Sequence, residues 1–149
     1  MTSAKDNQKD VWPKLVPELY VKDIKQSLEF YTRLLGFHVK YDRPEEGFAY
    51  LDNGGAHIML EQYDLSSRTW WTANFEHPLG RGINFQIEVD DVGRLYLNIQ
   101  NAGHPIFLPV EDKWYRTGNI EGGNRQFIVQ DPDGYLLRLF TSLGERPIG

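Results

Sequence analysis

Four short stretches of this chain place polar and ionisable side chains two residues apart, the spacing that lines one face of a β-strand. They contribute Val16, Glu18 and Tyr20; His57, Met59 and Glu61; Asn84, Gln86 and Glu88; and Leu136, Arg138 and Phe140. The residues between them are mostly apolar, so the other face of each strand is fit for a core. A polar sheet face is ordinarily plain solvent exposure, but carboxylates, amides and aromatics gathered together also suit a ligand cleft. His57 and Glu61 are of metal-ligating type, yet two ligands do not make a site. Glu88 is of the type that acts as a general base, but no partner for it is evident. Arg138 needs a counter-charge if it is buried, and Glu18 or Glu61 across a cleft would supply one. His38, His77 and His104 show no ligand spacing and read as surface or loop residues.

The elements that must position these residues follow in order. Asp23 is placed to cap a helix over Ile24–Leu35, with Ile24, Leu28, Tyr31 and Leu35 at helical spacing and Gly36 as the stop. Phe37–Tyr41, Gly47–Leu51 and Ala56–Gln62 read as strands, the last two joined at Asn53-Gly54-Gly55. Residues 63–80 have no clear periodicity and carry Trp70, Trp71, Phe75 and Pro78. The pattern then restarts. A strand over Gly82–Val89 leads to Asp91 as cap, a helix over Val92–Asn101, Gly103 as stop and a strand over Ile106–Val110. A final hairpin turns at Asp131-Pro132-Asp133-Gly134. Both halves read β-α-β-β-β, the mark of two copies of one unit packed together. The helix-covered faces are expected to carry Leu19, Val21, Ile58, Leu60, Phe85, Ile87, Val89, Leu137 and Leu139.

At 149 residues, 40% of them apolar, the chain is one domain's worth and needs no metal or disulfide staple. Without cysteine it has no disulfide, thiolate ligand or thiol nucleophile. Residues 1–10 lack the apolar core of a secretory signal and nothing is apolar over ~18 residues, so a cytoplasmic protein without a membrane span is expected. The net charge of −5 argues against nucleic acid and favours cationic partners.

Val21-Lys22-Asp23-Ile24 running into Ser27-Leu28-Glu29-Phe30-Tyr31, then Leu35-Gly36-Phe37, Glu88-Val89-Asp90-Asp91-Val92 and Asp131-Pro132-Asp133-Gly134, resemble segments of the vicinal oxygen chelate superfamily. That superfamily holds glyoxalase I, extradiol dioxygenases, fosfomycin-resistance enzymes and bleomycin resistance proteins. The resemblance implies an α+β fold of two paired βαβββ modules, each a curved four-stranded mixed sheet with a helix on its convex face. Module 1 would span about 15–62, a linker 63–80 and module 2 about 81–142. A mobile arm over 1–14 and a tail over 143–149 would flank them. Enzymes of the superfamily hold a divalent metal with His, Gln or Glu at four strand positions. By local motif these fall here on Val16, Met59, Asn84 and Arg138, which cannot make a hard-metal site.

Loss of the whole metal set is similar to the bleomycin resistance branch, as are His57-Ile58-Met59-Leu60-Glu61 and Gly134-Tyr135-Leu136-Leu137-Arg138-Leu139. That branch implies a homodimer that sequesters the drug in clefts at its interface, with no cofactor and no chemistry. The other reading is a metal-dependent lyase or dioxygenase with non-standard ligands. For a cationic, heteroaromatic ligand, Phe48, Trp70, Trp71, Trp114, Tyr115 and Phe140 are the candidates for stacking, and Glu18, Glu61 and Glu88 for charge. Tyr20, Met59, Asn84, Gln86 and Arg138 complete the expected lining. Trp114 and Tyr115 are placed in a loop before the last hairpin. Trp70-Trp71 suits either stacking or a structural anchor.

Overall fold

A computed structural model describes residues 11–65 and 68–149. The first half forms β1 (Glu18–Val21), α1 (Ile24–Leu28), β2 (His38–Arg43), β3 (Phe48–Asn53) and β4 (Ala56–Gln62). The second forms β5 (Asn84–Glu88), α2 (Val92–Asn101), β6 (Leu108–Thr117), β7 (Ile120–Gln130) and β8 (Leu136–Pro147). The sheet orders are β1-β4-β3-β2 and β5-β8-β7-β6, so the repeat in the sequence is a repeat in topology. In each sheet the first and last strands of the module pair in parallel and the rest are antiparallel. Among the described residues no helix is long and apolar enough to cross a membrane.

Both helices start on the expected caps. Asp23 Oδ1 accepts from the Lys25 and Gln26 amides, and Asp91 Oδ1 from that of Arg94. Past Leu28 the first helix widens into a π-helical segment, Glu29–Leu34, instead of running on as α-helix to Leu35. The Leu35 amide bonds the Phe30 carbonyl five residues back. Phe30 and Tyr31, neighbours in sequence, are both buried there.

The helix-bearing faces of the two sheets pack into one shared core. Leu19, Val21, Ile58 and Leu60 of the first module join Ile87, Phe127, Leu137 and Leu139 of the second. The seam is sealed by the Asp-Pro-Asp-Gly turn. Asp131 accepts from the Tyr31 hydroxyl at 2.7 Å and from the amides of Asp133 and Tyr135. Asp133 accepts from the Lys22 amide and the Ser27 hydroxyl. The Tyr135 hydroxyl donates to the Tyr20 carbonyl. Each buried carboxylate of one module is thus satisfied partly by donors of the other.

Two segments differ from expectation. The loop expected around residues 111–121 is strand: β6 and β7 continue to a turn at Gly118-Asn119, and β8 runs through most of the expected tail to Pro147. Charged residues give this ribbon a loop-like composition, but they pair across strands, Arg125 with Asp112 and Arg146 with Glu121, at 2.7 Å each. Of the expected mobile arm, residues 1–10 lie outside the described residues. Trp12 is seated on the first sheet, edge-on to Tyr50 at 5.2 Å and to His57 at 6.0 Å.

Candidate functional site

Strand register assigns each candidate to a face. In the first sheet Glu18 lies beside Met59, then Tyr50 and Tyr41; Tyr20 lies beside Glu61, then Phe48 and Arg43. These two rows run across all four strands on the face turned away from the core. In the second sheet Gln86 lies beside Arg138 and Ile128, while Glu88 lies beside Phe140 and Gln126. Asn84 shares that open face, and so does Tyr115, whose hydroxyl bonds the Gln126 amide group at 2.7 Å.

The structure gathers the first group tightly. Glu18, Glu61, Phe48 and Trp70 line one cavity of about 450 Å³, with Arg43, Glu46, Leu65 and Arg68. Burial, and then the neighbouring Glu61, raise the Glu18 carboxyl above the ordinary carboxylate range, while Arg43 opposes the shift. A carboxyl whose charge is disfavoured by burial and by a neighbouring carboxylate is a ready partner for a ligand cation. Tyr20 accepts from the Trp70 amide and lies 4.8 Å from the Trp71 ring. Trp71 and Phe75 cluster with Tyr63, so Trp71 anchors the linker, while Trp70 stands exposed at the cavity rim.

Two expectations fail. Trp114 is on strand β6, not in a loop, and alternation sends it to the opposite face from Tyr115. Its ring covers Gly123, where an added Cβ would lie 2.8 Å from ring atoms, and it carries the Arg146 guanidinium at 4.1 Å. Arg138 pairs with neither Glu18 nor Glu61; its Nε is buried without a hydrogen-bond partner. Phe48 lies in the expected row and lines the cavity; it is 3% exposed, and Arg43 covers its ring face, with Cζ 3.9 Å from the centroid.

The open face also holds a network that spacing did not reveal. Asp52 Oδ1 lies 3.2 Å from His57 Nε2, and His57 Nδ1 lies 2.7 Å from the Tyr50 hydroxyl. A carboxylate only accepts, so the tautomer with its proton on Nε2 toward Asp52 leaves Nδ1 to accept from the Tyr50 hydroxyl. His38 joins Asp52 at 3.5 Å, and His104 bonds the Gln130 carbonyl. Two of the three histidines assigned to surface or loop thus have polar partners. The signal for the network was the alternation of Phe48, Tyr50 and Asp52 along β3, which aims all three at the His57 face.

Among the described residues the two open faces do not meet within the chain. The faces that meet are the helix-bearing ones, so Glu18 and Arg138 lie on sheet faces turned away from the shared core. The cavity beside Glu18 has no lining residue from the second module. Nor do the residues fit a metal. The four strand positions hold an apolar side chain, a thioether, an amide and a cation. Among the described residues no three His, Cys, Asp or Glu converge to hold an ion.

A family model described as the glyoxalase/bleomycin resistance protein/dioxygenase superfamily matches residues 15–139. A bleomycin resistance protein of Geobacillus stearothermophilus is 30% identical over 138 residues, covering 86% of this chain and 96% of that protein. The crystal structure of TioX from Micromonospora sp. ML1 superposes with a TM-score of 0.67 at 23% identity, covering 87% of this chain and 98% of that one. Lactoylglutathione lyase from Agrobacterium tumefaciens superposes at 0.56 with 18% identity, over 91% of this chain and 95% of that one. The last two likenesses are of fold.

Proposed function

The chain belongs to the glyoxalase/bleomycin resistance protein/dioxygenase superfamily, and from that premise we propose that it sequesters a small molecule of bleomycin type without transforming it. The ligand is cationic and aromatic, and it binds at the interface of a homodimer. The observation that carries the reading is the pair of carboxylates, Glu18 and Glu61, sharing one cavity with Phe48 and Trp70. The Glu18 carboxyl, raised by burial, is favoured in its charged form when a cation arrives, and aromatic walls stack on flat rings. The 30% identity to a bleomycin resistance protein points the same way.

The arrangement of the two faces supports a dimer. One face offers Glu18, Tyr20, Met59, Glu61 and Trp70; the other offers Asn84, Gln86, Glu88, Tyr115, Arg138 and Phe140. Within one chain they are turned apart, so a ligand held between both needs the first module of one chain against the second module of another. The positions held elsewhere in the superfamily by metal ligands are here binding surface. Titration of tryptophan fluorescence with metal-free bleomycin tests the reading. Saturable quenching at one ligand per chain and micromolar or tighter affinity, about −8 kcal/mol or better, is expected. Absence of quenching at high ligand refutes it.

A further inference from the structure

Arg43, Phe48, Glu61 and Tyr20 form one continuous row across the four strands of the first sheet. At one end of this row the Arg43 guanidinium lies on the Phe48 ring, its Cζ 3.9 Å from the centroid. Arg43 and Phe48 line the same cavity as Glu18 and Glu61. A flat, delocalised cation therefore already sits on an aromatic face in the cavity that holds both carboxylates, and it belongs to the protein itself.

Arg43 is held there by side-chain contacts with Glu46 and Tyr41 and by attraction to Glu18. Its Nε donates to Glu46 at 2.7 Å, an i,i+3 pair whose side chains are 42% and 50% exposed. Exposed ion pairs and exposed cation–π contacts are both weak. Phe48, by contrast, is 3% exposed and fixed within the sheet. The seat is buried in the sheet, while its occupant is a long side chain that is 42% exposed.

We propose that Arg43 is a tethered occupant of a cation seat formed by Phe48, Glu18 and Glu61. The seat takes planar, delocalised cations, guanidinium or amidinium groups, in preference to compact ammonium ions. A guanidinium or amidinium matches the seat twice. It stacks on the ring by its face, and its in-plane N–H groups suit two-point bonding to a carboxylate. An ammonium does neither as well. Arg43 must swing out before such a ligand enters, so the observed affinity is the intrinsic one reduced by the fraction of time the seat stands empty. Arg43 thus sets both the threshold and the selectivity of the site.

This inference rests on the reading of the cavity as a cation site, and its test separates the two. Benzamidinium and n-butylammonium are titrated calorimetrically into the wild type, Arg43→Ala, Arg43→Gln and the double variant Arg43→Ala/Phe48→Leu, with far-UV circular dichroism reporting the fold of each. Arg43→Ala and Arg43→Gln are expected to bind benzamidinium roughly tenfold tighter than the wild type. Butylammonium gains much less, and the added Phe48→Leu removes the gain. Equal or weaker benzamidinium binding in both folded single variants overturns the proposal. So does an equal gain for butylammonium, or no benzamidinium binding by any variant. If the wild type takes up bleomycin while the Arg43 variants show no gain, the gate falls and the sequestration reading stands. If bleomycin fails while the amidinium gain appears, the reverse holds.

Discussion

Replacing Tyr31 by Phe removes a hydroxyl that donates to Asp131 at 2.7 Å across the seam between the modules. Tyr31 is 0% and Asp131 3% exposed, so no water stands ready to replace it. A hydrogen bond to a charged acceptor contributes about 1.5–3 kcal/mol and one between neutral groups about 0.5–1.5 kcal/mol. Which figure applies depends on the charge of Asp131. Burial pushes its carboxyl from the ordinary 3.8 up to about 6, against the pull of the Tyr31 hydroxyl and two backbone amides. Because the folded value is raised, the stability linked to this group is full below the unfolded value and is lost as pH rises through about 6. Taking away the Tyr31 hydroxyl removes a group that favours the ionised form. The folded value moves higher and the loss deepens. Tyr31→Phe is therefore expected to cost about 1 kcal/mol at pH 5 and about 2–3 kcal/mol at pH 8. Urea unfolding of wild type and variant at both pH values gives the two differences, in which the carboxylates common to both proteins cancel. A penalty that is flat with pH, or larger at pH 5, refutes the reasoning.

Trp114→Ala is expected to leave affinity for metal-free bleomycin unchanged while lowering stability by about 1–2 kcal/mol through the β6–β8 ribbon; a drug titration and a urea melt together check this. Glu61→Gln is expected to weaken a cationic ligand roughly tenfold, about 1.4 kcal/mol. Since Glu18 is raised by burial and by Glu61, wild-type binding strengthens as pH rises through the Glu18 value and releases a proton, read by calorimetry in buffers of different ionisation enthalpy. Gly134→Ala, at a φ of +101° with its Cβ 2.5 Å from that of Pro78, is expected to cost about 2–4 kcal/mol in a denaturant series.

Period-2 alternation, helix caps and the repeat carried most of the architecture. Asp23, Asp91 and the two sheet faces lie where the spacing puts them, because those signals are local. What stayed hidden depended on distant partners. The charged ribbon from Glu111 to Thr117 reads as loop until Arg125 and Arg146 supply its cross-strand charges. The π-helical turn was hidden because Tyr31 is aimed at Asp131, a hundred residues on. At the site, residue types showed that Glu18, Glu61 and Phe48 belong together. They did not show that Arg43 occupies the face of Phe48, nor that Trp114 and Tyr115 diverge once both lie on a strand.

The Asp-Pro-Asp-Gly turn has a further consequence for symmetry. Its counterpart in the first half is Asn53-Gly54-Gly55, where the Asn53 amide bonds the Leu35 carbonyl within its own module. The two halves share a topology but are no longer interchangeable. A chain built from two first halves would bring no carboxylate to the seam from either turn, because Asp52, the carboxylate beside that turn, is held by the Gly55 amide and faces His57. The Tyr31 hydroxyl, the Ser27 hydroxyl and the Lys22 amide would all face the seam without acceptors. The repeat has become a pair of unlike parts, each holding what the other lacks, and only the mixed combination closes.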